Sequence, residues 1–385
     1  MKIRLFKEEL IRTGFIVFLS TLGLSIVAFF ANIIVANILG AEYFGTYKTI
    51  IYLFSFLPLI ADIGINSSLI KYIAEFGKES EKTKHLINWF LKIKFLSYVV
   101  LIVVIFLLKD SIALYFLKDV SLNYLILASI FLMAFNFFST FSSITLGFQN
   151  FKLYSLSQFL NSTISFLLSI LLSPLGLFYM ILGYSLGPLI GNLPNMLFFL
   201  KKRTFHVHEK IDMKKIFFKF TLPIYPIELC ASLFNVIVPL LSLFFSQKLI
   251  GYYSFAFMFY YITTIIPSSL STVLFPKVSE LSGLNRHGDA KIVLRKAVLY
   301  YSLIAISGLV FVLLFSEWFI ILIAKDFLPS LLMFKIIVSL GFIFGYVVIY
   351  SNYLKGLGKV RKFALFTLIQ NIVLIIASFL LLTNF

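Results

Sequence analysis

The chain has 385 residues, of which 61% are hydrophobic and 13% charged, with a mean hydropathy of +1.02 and a formal net charge of +17. Soluble domains carry about 25% charged residues, so most of this chain is expected to be dissolved in lipid. The single cysteine, Cys230, excludes an intramolecular disulfide and a cysteine metal cluster.

The N-terminus, MKIRLFKEELIRTGF, has the basic start of a signal peptide. The apolar run behind it continues to about Leu39, too long for a cleaved segment, and is read as a retained first membrane helix. A helix needs roughly 20 apolar residues to cross the hydrocarbon. Eleven stretches meet that demand, at about 13–39, 46–70, 86–108, 122–146, 157–174, 176–200, 219–245, 252–276, 297–315, 328–350 and 363–383. The fifth and sixth are divided at SPLG, residues 173–176, where Pro and Gly favour a turn.

Lysine and arginine set the orientation. With the N-terminus in the cytoplasm, 27 of the 33 basic residues fall in segments 1–12, 71–94, 201–219, 277–296 and 355–362 or at Lys152. The net charge is therefore a topology signal. It is spread over short loops rather than one face, so no nucleic-acid partner is expected. Anionic membrane lipids are the expected neighbours of these loops. His206 and His208 give a weak metal signal in a solvated loop, and no metal is expected.

Two polar hinges echo each other. ILGAEYFGTYKT at 38–49 aligns with FFSQKLIGYYSF at 244–255, placing Gly45 on Gly251 at an offset of 206. Lys71 falls on Lys277 at the same offset. KDSIALYFLKD at 109–119 matches SEWFIILIAKD at 316–326, and LGFQNFK at 146–152 matches KGLGKVR at 355–361, with Gly147 on Gly356. A series of matches in the same span order is the signature of duplication. The first half has an even number of spans, so the repeats are expected to be parallel. The predicted fold is an all-α integral membrane protein of about eleven helices, in two bundles of six and five around a central cavity. The bundles are 1–200 and 219–385, with a cytoplasmic linker at 201–218. The second is expected to lack a counterpart of the sixth helix.

Helical periodicity then groups polar residues on faces. Thr21, Ser25 and Asn32 share one in the first span. Lys48, Ser55, Asp62 and Asn66 do so in the second, and Glu228, Ser232 and Asn235 in the seventh. Tyr346, Tyr350 and Tyr353 share one in the tenth. Single hydroxyls serve mainly as packing glue. An ionisable group in the bilayer costs several kcal/mol and usually faces a cavity or a partner, which singles out Glu228. No P-loop, metal-ligand pair or Ser/His/Asp set is present, so neither catalysis nor a cofactor is expected.

The stretch ILGAEYFGTYKTIIYLFSFLPLIADIGINSSLIKYIAEF, residues 38–76, resembles the start of the polysaccharide-biosynthesis flippases. These form a family within the multidrug/oligosaccharidyl-lipid/polysaccharide exporter superfamily. Gly40, Gly45, Tyr47, Asp62 and Gly64 carry the resemblance, with GFQNFK and GLGKVRK in the later loops. Relatives often have twelve or fourteen spans, so eleven departs from the pattern.

The resemblance implies a flippase of the cell membrane that carries lipid-diphosphate-linked oligosaccharide by alternating access. An ion gradient of H+ or Na+ acting through Glu228 is the expected drive, and glycan-assembly enzymes are expected partners. Arg12, Lys48 and Lys71 are then the cations for the diphosphate. Asn32, Asn37, Asn66 and Asn235 would bond sugar hydroxyls, Tyr346 and Tyr350 would stack on sugar rings, and Asp62 would line the path. The alternatives are a multidrug exporter of the same superfamily and a membrane-embedded glycosyltransferase or polymerase.

Overall fold

The computed structural model describes residues 2–76, 80–202, 212–357 and 359–384, with most side chains from residue 23 onward. Among these residues every regular element is a helix. In lipid, helices alone satisfy backbone hydrogen bonds within one segment. In chain order they are α1 (Lys2–Asp62), α2 (Ile65–Phe76), α3 (Glu81–Leu107), α4 (Lys109–Ile112), α5 (Asn123–Asn136), α6 (Ser139–Gly147), α7 (Phe151–Leu172) and α8 (Leu177–Gly191). There follow α9 (Leu193–Lys202), α10 (Met213–Ile216), α11 (Leu222–Ser232), α12 (Ile237–Ser242), α13 (Gln247–Gly283), α14 (His287–Ala324), α15 (Leu331–Gly356) and α16 (Val360–Thr383).

Among the described residues seven stretches, from Ser25–Asp62 to Leu365–Thr383, are each long and apolar enough to cross a membrane. Some hold more than one expected span. His287–Gly356 contains two, and Ser25–Asp62 is divided where Gly40 turns to φ 68° and ψ 174°. Each of the eleven expected spans coincides with helix, so the all-α membrane architecture of about eleven passes stands.

The breaks fall where the sequence weakens the helix. The expected turn at 173–176 is a short 3-10 segment ending at Gly176, φ 107°. The sixth span divides between Gly191 and Leu193. Asn192 repairs part of that break by donating its side-chain amide to the Pro188 carbonyl at 2.7 Å. Pro267, by contrast, sits inside the unbroken α13.

The chain forms two compact units. The first comprises 1–34 and 49–239, the second 35–48 and 240–385. The first is built on α2 against α3 and α6, and on α7 and α5 against α8. Its core joins Ile65, Leu69, Ile73, Phe90, Ile144 and Ile216. The second is built on α15 against α13, α14 and α16, with Val278, Ala290, Tyr301, Ile349 and Leu354 in its core.

The aligned glycines of the repeat pack alike in the two units, each against a β-branched side chain within two residues of the aligned lysines Lys71 and Lys277. In the first, a Cβ on Gly147 would lie 2.9 Å from the Ile73 Cβ; in the second, a Cβ on Gly356 would lie 2.8 Å from Val278 Cγ1. The turns that follow close the same way. Asn150 N–H donates to the Thr145 carbonyl at 3.1 Å, and Lys359 N–H to the Leu354 carbonyl at 2.9 Å. These donors are 209 residues apart, the offset at which the glycines align. Within the second unit the two hinge glycines meet. A Cβ on Gly45 would collide with the Gln247 carbonyl, and one on Gly251 with the Ala41 carbonyl. Ala41 and Gln247 are themselves 206 residues apart, so the contact is reciprocal, as in a two-fold interface.

These close approaches leave no room for a side chain. Gly147→Val and Gly356→Val should each cost about 1–3 kcal/mol by overpacking, read as a lower Tm of the purified protein. Gly288→Ala, which meets nothing within 4 Å, should leave Tm unchanged or raise it.

Candidate functional site

The segment ADIGIN, residues 61–66, holds a break in a helix. Ile63 and Gly64 take φ of 51° and 78°, so α1 ends at Asp62 and α2 begins at Ile65. Glycine is required at 64 for two reasons. Its backbone is left-handed, and a Cβ there would lie 2.6 Å from the Thr221 carbonyl oxygen. Thr221 closes a π-helical stretch, Phe217–Thr221, that leads into α11. Its hydroxyl lies 2.7 Å from that of Ser68 on α2.

A broken helix strands carbonyls, and in an apolar setting these need other donors. Here they find hydroxyls. Ser97 on α3 donates to the Ala61 carbonyl at 2.7 Å, and Tyr225 on α11 to the Ile60 carbonyl at 3.3 Å. At the other side of the break, Asp62 accepts the Asn66 backbone N–H at 3.2 Å, as a capping residue does.

The break also collects charge. Lys94 on α3 is wholly buried, and its ammonium donates to Asp62 Oδ1 at 2.5 Å and Asn66 Oδ1 at 2.9 Å. Asp62 is itself only 5% exposed. A Tyr98 ring stands 5.7 Å from the same ammonium. Glu228 on α11 is half-buried and accepts a hydrogen bond from Ser67 on α2. Ser67 directly follows Asn66, which shares the Lys94 ammonium with Asp62. One ammonium and two carboxylates, drawn from three helical segments, thus share one apolar unit.

Asp62 and Asn66 come from one expected polar face and Glu228 from another, and the structure brings them together. Lys94 is a correction. It was counted with the basic inner segment 71–94 although the expected span 86–108 contains it, and α3, running from Glu81, carries Lys94 on the face shared by Ile87, Phe90 and Tyr98. Lys92, two residues earlier, is exposed. Spacing of four from Phe90 and Tyr98 was the available signal.

The other expected site residues lie elsewhere. Asn32 in the first unit donates to its own helix at the Ala28 carbonyl, 2.7 Å away. Asn37 in the second unit donates to the Ile323 carbonyl at 2.8 Å. Lys48 is buried in the second unit, with its ammonium 5.2 Å from the Phe44 ring centroid. Lys71 is exposed, its ammonium seated 3.9 Å over Phe220 and 4.8 Å over Tyr72. Asn235 is partly buried in a 3-10 turn, Leu233–Val236. Tyr346 donates to Ser302 at 3.0 Å and packs edge-on to Tyr301, and exposed Tyr350 packs edge-on to Phe366. The side chain of Arg12 lies outside the described residues, as do His206 and His208. Among the described residues no three His, Cys, Asp or Glu converge on a metal position.

The buried pair has a testable cost. Lys94→Ala strands Asp62 and should lower stability by about 3–5 kcal/mol. Asp62→Asn combined with Lys94→Met removes both charges and should recover most of that loss, as thermal denaturation of the purified variants will show.

In fold, the chain is similar to an inward-facing multidrug resistance MATE family transporter of the MOP superfamily, with a TM-score of 0.72 and 14% identity over 94% of each chain. It is as similar to the lipid II flippase MurJ in an inward closed conformation, with a TM-score of 0.71 and 16% identity over 95% of this chain and 87% of that one. A MATE structure in a bent conformation follows at 0.56, with 15% identity over 98% and 95%. At such identities the likeness speaks for the fold. A sequence comparison with curated proteins gives no match. A family profile described as polysaccharide biosynthesis protein matches residues 10–282, well over half the chain. This multi-pass membrane protein therefore belongs to the polysaccharide biosynthesis protein family.

Proposed function

We propose that the protein flips lipid-diphosphate-linked oligosaccharide across the cell membrane by alternating access, with its N-terminus in the cytoplasm and no catalytic step of its own. The observation that carries this reading is the family match over residues 10–282. The basic loops that set the orientation support it, since they hold 27 of the 33 lysines and arginines. Residues 1–200 and 219–385 are the two repeats, joined by the linker at 201–218.

The polar head of such a substrate cannot cross unaided, because each unpaired hydroxyl costs roughly 4–8 kcal/mol in hydrocarbon. Lys71 is the cation best presented for a diphosphate: it is exposed, and two rings hold its ammonium in place. Lys48 and Arg12 are the further cationic candidates, and Asn32, Asn37, Asn235 and Tyr350 the candidates for the sugars. Glycan-assembly enzymes are the partners that would supply and receive the substrate.

Multidrug export is the second reading, favoured by the TM-score of 0.72 to a MATE transporter. A cationic drug would need a free buried carboxylate. Among the described residues Asp62 is the one acidic side chain that is fully buried, and Lys94 already holds it.

Deleting the gene in its host should leave lipid-linked oligosaccharide accumulating on the cytoplasmic leaflet, measured by lipid extraction and mass spectrometry. An unchanged lipid-linked pool together with hypersensitivity to cationic drugs would favour the second reading. Complementation with Lys71→Gln should restore about a tenth of the flux or less, as expected where one charged hydrogen bond of about 1.5–3 kcal/mol is lost.

A further inference from the structure

The segment that leads into α11 carries a surface that neither water nor hydrocarbon suits alone. From Met213 to Leu222 the side chains sort onto two sides. Met213, Ile216 and Thr221 are buried, and Phe217 packs on the core of the first unit and edge-on to Trp89. Lys214, Lys215, Phe218, Lys219 and Leu222 are exposed. The Phe218 ring is 63% exposed although lysines flank it on both sides in sequence.

A solvated helix face carries charges without large apolar groups, and a face in hydrocarbon carries apolar groups without charges. This one carries both, and in order. Lys214 and Lys215 come first, Phe218 and Lys219 next, and Leu222 last, inside the expected span 219–245. That order is the one met on passing from headgroups into acyl chains. Aromatic rings sit at that boundary, and lysine stems reach back from it to the phosphates.

Three lysines in six residues also choose among headgroups. The one carboxylate between residues 212 and 222, Asp212, serves as a helix cap and accepts the Lys215 N–H at 3.0 Å. The surplus charge of the face is positive. A zwitterionic headgroup brings its own cation and gains little there, whereas an anionic one gains from each lysine. The face is also held in place. Phe220 packs edge-on to Tyr72 at 5.6 Å. Thr221 abuts Gly64, and its hydroxyl lies 2.7 Å from that of Ser68. The ammonium groups therefore stand on a fixed backbone rather than a loose tail, and less order has to be created when a lipid binds.

We propose that Lys214, Lys215, Phe218, Lys219 and Leu222 form a binding surface for anionic phospholipid, with the Phe218 ring at the acyl boundary and the three lysines on headgroup phosphates. The partner is lipid of the surrounding bilayer, so the proposal does not rest on the flippase reading.

A tryptophan at position 218 reads the site. Phe218→Trp is placed in phosphatidylcholine nanodiscs doped with brominated phosphatidylglycerol, or with brominated phosphatidylcholine at the same mole fraction. Quenching is taken as the difference from the parent chain, whose tryptophans are Trp89 and Trp318. Bromine quenches indole on contact, and phosphatidylglycerol should quench the more strongly. Adding Lys215→Gln should lower that preference about fivefold, and Lys214→Gln, Lys215→Gln and Lys219→Gln together should bring it close to one. Removing as many exposed charges from α14, with Lys291→Gln, Arg295→Gln and Lys296→Gln, should leave it unchanged. Equal quenching by the two lipids, or none by either, would overturn the proposal. So would a preference that the α14 variant lowers as far as the local one does. None of these results would touch the flippase reading, which the lipid-linked pool decides.

Discussion

The structure of the first unit turns on a helix that stops inside apolar surroundings. At Ile63 and Gly64 the backbone leaves the helical region, and the carbonyls of Ile60 and Ala61 lose their usual donors. Lipid offers no replacement. Everything polar nearby follows from that shortage. Ser97 and Tyr225 supply hydroxyls, and Asp62 turns to cap the next helix. A carboxylate so placed is in turn stable only beside a cation, which Lys94 provides from α3. The absence of a side chain at Gly64 lets Thr221 approach, and this brings α11 and its Glu228 into the same neighbourhood. One glycine and one aspartate in a six-residue motif thus fix three helical segments around a charge cluster.

Duplication supplies the second constraint. Gly147 on Ile73 and Gly356 on Val278 are the same packing solution used once in each unit, followed by the same turn closure. The charge cluster is not duplicated in this way. The position 206 residues after Asp62 is Ser268, and that after Asn66 is Thr272. The two halves therefore share a scaffold but differ in chemistry.

Much of this was legible in the chain. Hydropathy located the helices because a span must be apolar for some 20 residues, whatever it packs against. The turns at Gly40 and Gly176 were legible as a polar hinge and a Pro–Gly interruption, whereas the break at Gly64 falls inside the expected span 46–70, because one glycine in an apolar run does not by itself mark a turn. Glu228 stood out because a carboxylate in an apolar run has few stable surroundings. Lys94 did not, because a lysine near a helix start serves equally well as a topology signal, and only the rotation of α3 separates it from exposed Lys92. Asn32 and Tyr346 also lie on polar faces, and in the structure each bonds a neighbour within its own unit. Periodicity gives the face a residue lies on and says nothing of what meets that face.

The central claim is that α2 and α11 meet at Ser67 and Glu228 beside the broken helix. The chain has a single native cysteine, so cross-linking tests this directly. In a Cys230→Ala background, Ser67→Cys with Glu228→Cys should form a disulfide on mild oxidation in membranes. Two free thiols, both labelled by a water-soluble maleimide and never joined, would contradict the account.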